Sequence, residues 1–203
     1  MKIICIGRNY IEHAKELNSE IPNEPVFFLK PDTSLIKDNR PFFYPDFSKD
    51  IQYEVELVLK IAKAGKNIQT KFANKYYDEI GIGIDFTARD IQNICKTKGL
   101  PWEKAKAFDG AAPIGKFISK NEFLDQKNIN FNLNINNYLV QKGNTKDLLF
   151  SFDTIIAHVS NFFTLKTGDL IFTGTPEGVG PIKIGDRLEA YIENQKLLDF
   201  EIK

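Results

Sequence analysis

The segment IQYEVELVLKI, Ile51 to Ile61, is a run of strand-forming residues with two glutamates set two positions apart inside it. Successive strand side chains point to opposite faces, so Glu54 and Glu56 project from one face while Tyr53, Val55, Leu57 and Leu59 line the other. A fold that uses this strand must accommodate two adjacent carboxylates. Like charges repel, and burying them unpaired is costly. Three surroundings answer the problem: a wet face with Lys60 nearby, a buried ion pair with arginine, or a divalent cation, which favours hard oxygen ligands.

A third carboxylate bears on the choice. In EIGIGID, Ile80, Ile82 and Ile84 alternate with glycines and predict a strand that another backbone can approach closely. Asp85 ends it, just before a predicted helix, which is a good place for a functional side chain and an ordinary one for a turn aspartate. Two glutamates and Asp85 together offer three oxygens, a partial coordination that Mg²⁺ accepts while keeping positions for water or substrate.

The rest of the chain reads as strand-rich. KIICIG predicts a short buried strand, followed by helical character over RNYIEHAKELN. Residues 70–79 predict a helix with Thr70 as N-cap, and Thr87-x-x-Asp90 has the spacing of a capping box opening a helix that stops near Gly99. NINFNLNIN alternates as a half-exposed strand with NNYLVQKG as its hairpin partner. SFDTIIAHVSNFF has helical spacing after Ser151, and DRLEAYIENQKLLDFEIK closes as a hairpin. Strands and helices do not alternate regularly, which excludes a doubly wound sheet and points to an α+β sandwich or roll of antiparallel strands with short peripheral helices.

Length and composition restrict the function classes. The 203 residues suit one domain, and 17 Phe and 7 Tyr supply a sizeable core. Lys+Arg and Asp+Glu balance at 27 each, so no basic surplus points to nucleic acid. Cys5 and Cys95 are far apart and fit a reducing compartment. No run reaches the length of a membrane span, and the apolar N-terminus is too short for a signal peptide, so the expectation is a soluble cytoplasmic protein. His158 packs within an amphipathic stretch, Asp90 caps its helix and Cys95 is a buried thiol; none is given a role. TGTPEGVG lacks the Gly-Lys-Ser/Thr ending of a phosphate loop, and its glycines suit close backbone approach to a small carboxylate.

The blocks GRNYIEHAKE, FFLKP, YEVELVLKI, GIDFTARDIQ, KGLPWEKAKAFDGAAPIG and TGTPEGVGP occur in this order. With them the chain resembles the fumarylacetoacetate hydrolase (FAH) family, in its small single-domain acylpyruvase and oxaloacetate decarboxylase branch. The resemblance implies one FAH-like catalytic domain over 1–203, folded as the family's β-sandwich roll and assembled as a homodimer, with a lid helix within residues 1–20. It implies that Glu54, Glu56 and Asp85 bind Mg²⁺ or Mn²⁺ and that Lys106 is the active-site lysine. It further implies that His13 and Glu16 are a catalytic pair on the lid helix, and that Arg8, Tyr10, Arg89, Gln92 and Thr175 surround the substrate. The implied substrates are small 2-oxo or 2,4-dioxo acids, with acylpyruvate hydrolysis first and oxaloacetate decarboxylation second. An isomerase or decarboxylase of 2-hydroxyhepta-2,4-dienedioate-like acids, and a metal-dependent carboxylate-binding protein, are the alternatives.

Overall fold

Apolar alternation sets most of the strands, and the computed structural model, which describes residues 1–17 and 20–203, shows how they join. The first third holds β1 (Ile3–Gly7), α1 (Ile11–Glu16), β2 (Val26–Lys30), β3 (Leu35–Ile36), β4 (Ile51–Tyr53) and β5 (Val55–Ile61). Then come α2 (Thr70–Ala73), β6 (Tyr77–Ile84), β7 (Thr87–Ala88), α3 (Arg89–Lys98), α4 (Glu103–Lys106) and β8 (Ala112–Ser119). The chain ends with β9 (Asn130–Ile135), β10 (Tyr138–Asn144), α5 (Phe152–Phe162), β11 (Leu170–Phe172), β12 (Gly180–Pro181), β13 (Arg187–Ile192) and β14 (Gln195–Glu201).

Seven strands form one sheet in the order β2-β1-β11-β5-β6-β8-β3, four form a second in the order β10-β9-β13-β14, and β12-β4-β7 make a small third. The architecture is strand-rich α+β, as the sequence predicts. It is not purely antiparallel: β1 pairs with β11 and β3 with β8 in parallel. Leu57 and Ile82 of the large sheet, Phe131 and Leu188 of the second, and Ile155, Ile156 and Val159 of α5 share one buried cluster. Each such side chain contributes roughly 1.5–3 kcal/mol on leaving water. No helix among the described residues is long and apolar enough to cross a membrane.

Local expectations fail where tertiary contacts outbid them. The helix predicted over 70–79 stops at Ala73, because Tyr77 and Ile80 are buried in β6. The capping box does not form: the N-cap of α3 is Ala88, and Thr87 Oγ1 instead donates to Glu54 Oε1 at 3.0 Å. Gly99 does end α3 in the left-handed region, at φ 63°. The helix expected over 8–18 is realised as α1; Asn18 lies outside the described residues. Ser151 caps α5 by accepting from the Thr154 N–H at 3.3 Å. Asp90 accepts from Ser48 Oγ and from the backbone N–H groups of Lys49 and Ile91, which fastens the start of α3 to the segment before β4. His158 packs against the rings of Phe27 and Phe162, which also touch each other, a packing role.

The strand predicted over 51–61 divides at Glu54. Before it, β4 joins the small sheet; after it, β5 runs between β11 and β6. Both faces of β5 are buried, and neither Glu56 within it nor Glu54 at the break before it faces water.

Candidate active site

The β5–β6 ladder pairs Val55 with Ile84 and Glu56 with Gly83. The Asp85 N–H donates to the Glu54 carbonyl at 2.8 Å, which carries the antiparallel register one step further and sets Glu54 opposite Asp85. Glu54 and Glu56 share a face by strand period, and Asp85 joins them by register. Each offers a carboxylate oxygen within 4.8 Å of the others, and all three residues are buried. Gly83, opposite Glu56, leaves room for the Phe172 ring: a Cβ there would lie 2.7 Å from it.

The cations around this triad are unevenly shared. Arg89 Nη2 contacts Glu54 Oε1 at 2.5 Å, and Lys106 Nζ bridges Glu54 Oε2 at 2.8 Å and Asp85 Oδ2 at 2.9 Å. Lys30 Nζ forms an ion pair with Asp85 Oδ1 at 2.7 Å, and that buried oxygen accepts no hydrogen bond. The lysine's donors go to the carbonyls of Phe86, Ala111 and Lys106, which locks α4 and the start of β8 around the site. Among the described residues Glu56 forms no ion pair; it accepts the N–H of Gly174 at 2.7 Å. Gly174 has φ +105°, and a Cβ there would lie 2.7 Å from that of Asn9, so this donor position requires glycine.

Protonation follows the same asymmetry. Burial pushes the Glu54 carboxyl up, but Lys106 and Arg89 overturn this and hold it well below the usual range. Burial, then the Asp85 and Glu54 charges, push the Glu56 carboxyl well above it. Burial lowers Lys106, and Asp85 and Glu54 raise it beyond its ordinary value.

One cleft collects most of the sequence-predicted residues. Arg8, His13, Glu54, Glu56, Asp85, Arg89, Gln92, Lys106 and Thr175 all line it. Tyr10 is not brought there: its ring is buried edge-on to Phe131. Glu16 sits behind His13, with Oε2 3.0 Å from His13 Nδ1 and Oε1 accepting the Gly178 N–H at 3.0 Å. That contact fastens α1 to the glycine-rich loop after β11. Arg8 follows β1 with φ 58°, a left-handed conformation that costs a non-glycine residue about 1–2 kcal/mol. Asn9 offsets it, since its side chain donates to the Phe150 and Thr173 carbonyls and accepts from the Phe150 N–H. Gln141, at a bulge in β10, donates to Thr175 Oγ1 at 2.9 Å and accepts from the Val55 N–H, which holds the threonine hydroxyl in place.

Sequence reasoning did not assign Lys30, Gln141, Lys96, Phe28 or Trp102. The signal for Lys30 was the charge closing the apolar run VFFLK; Gln141 gave none.

Comparison with known proteins identifies the family. The family model for the fumarylacetoacetate (FAA) hydrolase C-terminal region matches residues 2–202. The chain is 41% identical over 201 residues to the mitochondrial oxaloacetate tautomerase FAHD1 of Mus musculus, covering 99% of this chain and 91% of that one. It is 44% identical over 192 residues to the mitochondrial oxaloacetate decarboxylase of Dictyostelium discoideum, covering 94% and 88%. The solved structure of fumarylpyruvate hydrolase from Pseudomonas aeruginosa, in complex with Mn²⁺ and pyruvate, superimposes with a TM-score of 0.94 at 33% identity, covering 100% of this chain and 89% of that one. The fold, the matched residues and these identities place the chain in the fumarylacetoacetate (FAA) hydrolase family.

Proposed function

We propose that this chain is a divalent-metal-dependent enzyme that hydrolyses acylpyruvates, 2,4-dioxo acids, to pyruvate and a carboxylic acid. The observation that carries this reading is the His13–Glu16 pair set over the same cleft as the buried triad.

The triad's chemistry fits Mg²⁺ or Mn²⁺. Its donors are hard oxygens, Asp85 Oδ1 accepts no hydrogen bond although Lys30 stands beside it, and Glu56 pairs with no cation among the described residues. Glu54, Glu56 and Asp85 would hold the ion. When bound, it supplies Lewis-acid polarisation of the keto oxygen of a chelating 2-oxo acid. The ionised triad balances Lys30, Lys106 and Arg89 in charge, so an added dication leaves a surplus that an anionic substrate offsets.

The chain's own residues do the rest. The Glu16 carboxylate accepts the Nδ1 proton of His13 and leaves Nε2 as the base. His13 takes a proton from water as it adds to the acyl carbonyl, and Glu16 holds the resulting imidazolium. The carbon–carbon bond on the pyruvate side then breaks, and its electrons become the enolate of pyruvate. Lys106 faces that developing charge in a water-poor setting. A proton returned to the enolate carbon completes pyruvate. Gln92 accepts from Arg89 Nη1 at 2.6 Å and keeps the guanidinium on Glu54.

A second reading is tautomerisation or decarboxylation of oxaloacetate, which builds enolate charge on the same oxygen. It is favoured by the names carried by the two relatives above. Folded protein is expected to release pyruvate from acetylpyruvate or oxaloacetate with Mg²⁺ and to stop with EDTA. Release from acetylpyruvate supports the hydrolase reading; release from oxaloacetate alone moves the assignment to decarboxylation, while tautomerisation releases no pyruvate and is read as faster loss of the oxaloacetate enol absorbance. Release from neither, with Mg²⁺ present, overturns the first.

A further inference from the structure

Strand β5 loses a neighbour where the site begins. Its pairing with β11 runs as far as Phe172 opposite Val58, and the Thr173 N–H still reaches the Leu57 carbonyl at 3.1 Å. The chain then turns away at Gly174, whose N–H goes to Glu56. Val55 lies two residues before Leu57, so its N–H faces the same edge, where no strand receives it. Gln141 supplies the acceptor: its Oε1 takes the Val55 N–H at 2.9 Å. This glutamine arrives from the second sheet, at the bulge of β10, and is buried. Gly178 packs on the same bulge, where a Cβ would lie 2.7 Å from the Val140 carbonyl. One side chain therefore joins the triad strand to the glycine-rich loop.

The hydrogen bonds of that amide leave no choice of orientation. A backbone N–H only donates and a carbonyl only accepts. The Val55 N–H fixes the Gln141 oxygen, and the Pro176 carbonyl, 2.9 Å from Nε2, fixes its nitrogen. The second Nε2 hydrogen goes to Thr175 Oγ1, also at 2.9 Å. The threonine oxygen must accept there, so its own proton points elsewhere. That proton meets no protein acceptor among the described residues. Yet Thr175 is buried, lines the cleft and follows the glycine that binds Glu56. A buried donor without a partner is costly unless a ligand brings the acceptor.

We propose that Gln141 is a positioning residue for substrate recognition: it makes the Thr175 hydroxyl a fixed donor toward an anionic oxygen of the 2-oxo acid. This rests on the function proposed above and adds what sets the direction of that donor. Without Gln141 the hydroxyl turns to the Pro176 carbonyl that the amide releases, and the ligand loses its hydrogen bond. A hydrogen bond to a charged group accounts for about a tenfold or larger difference in affinity.

A double-mutant cycle on oxamate binding, with Mg²⁺ present and read by calorimetry, tests this. Oxamate carries the 2-oxo acid head and has no bond that the reaction cleaves. Thr175→Val is expected to weaken oxamate about tenfold, and Gln141→Met about fivefold or more. In the Thr175→Val background, Gln141→Met is expected to cost less than about twofold further, because its effect runs through the hydroxyl. The same loss in both backgrounds overturns the proposal, since a merely structural glutamine acts through Val55 whatever replaces Thr175. Unchanged affinity in either single variant overturns it too. Gln141→Glu, as a carboxylate, keeps an acceptor for the Val55 N–H and loses both donors, so it takes the place of Gln141→Met if that variant does not fold. Its loss is expected to shrink at least about fivefold in the Thr175→Val background, and an equal loss in both overturns the proposal. Binding does not require turnover, so coupling between Gln141 and Thr175 stands even if no pyruvate is released, and only the reaction assignment falls. Failure of the wild type to bind oxamate overturns both.

Discussion

Lys106→Met is expected to reduce kcat for pyruvate release by about a hundred- to a thousandfold, the usual cost of removing a preorganised group that faces developing oxyanion charge. The same change is expected to destabilise the metal-free protein by about 3 kcal/mol, the lower end for breaking a buried ion pair. The lower end applies because Arg89 still faces Glu54 and Lys30 still faces Asp85 after the lysine is gone. Methionine fills much of the same volume, so a cavity adds little. For a chain of 203 residues that loss lowers Tm by roughly 6–12 °C.

The sign of the pH dependence follows from both partners. Glu54 is held below its ordinary value of 4.5, so its stabilisation is present above that value and fades as pH falls through the folded-state pKa. Lys106 is raised above 10.5, so its stabilisation is present below that value and fades as pH rises past the folded-state pKa. The stability gap between wild type and Lys106→Met is therefore full between about pH 5 and 10 and shrinks in acid. Urea denaturation at pH 7.5 and at low pH, with steady-state kinetics at the first, checks both halves. A variant with kcat within about threefold of wild type would remove Lys106 from the reaction.

His13→Ala is expected to lower acylpyruvate hydrolysis by a hundred- to ten-thousandfold, roughly the range supplied by a positioned general base. Metal affinity is expected to change much less, because the imidazole spends its Nδ1 contact on Glu16 and acts on Glu54 only through its charge. Glu16 keeps its bond from the Gly178 N–H, so α1 retains its tie to the glycine-rich loop. Loss of hydrolysis with retained Mn²⁺ binding separates the base from the triad. Turnover at the wild-type rate would remove the pair from the mechanism.

Much of this site is written in short-range spacing. The i, i+2 pair of glutamates and an aspartate closing an Ile-Gly alternation follow from one element's period, whereas His13, Glu16 and Lys106 are singled out by the family resemblance. Ile80, Ile82 and Ile84 likewise identify β6, and Ser151 marks the start of α5. What local reading misses is set by pairing across the chain. The register that puts Glu54 opposite Asp85 belongs to two strands, and the parallel pairing of β1 with β11 joins distant segments. Thr87 has the composition of a cap, yet a buried carboxylate needs donors more than a helix end beside solvent does, and its hydroxyl turns to Glu54. The helix expected over 70–79 yields to the core for a similar reason: Tyr77 is worth more inside β6 than in another helical turn. Tyr10 shows the reverse limit, since its segment reaches the cleft while its side chain turns into the core beside Phe131.

A calorimetric Mn²⁺ titration of wild type and Glu56→Gln decides whether the triad holds a divalent cation. Glu56 is the carboxylate without a cation partner, so glutamine removes a ligand charge without leaving a lysine or arginine unpaired. Wild type is expected to bind one Mn²⁺ per chain, and Glu56→Gln to bind at least about a hundredfold more weakly. In EDTA the same variant is expected to be the more stable of the two, because a neutral amide replaces a buried, uncompensated carboxylate. Equal Mn²⁺ affinity in the two proteins, or no binding by either, would mean that Glu54, Glu56 and Asp85 are not a cation site.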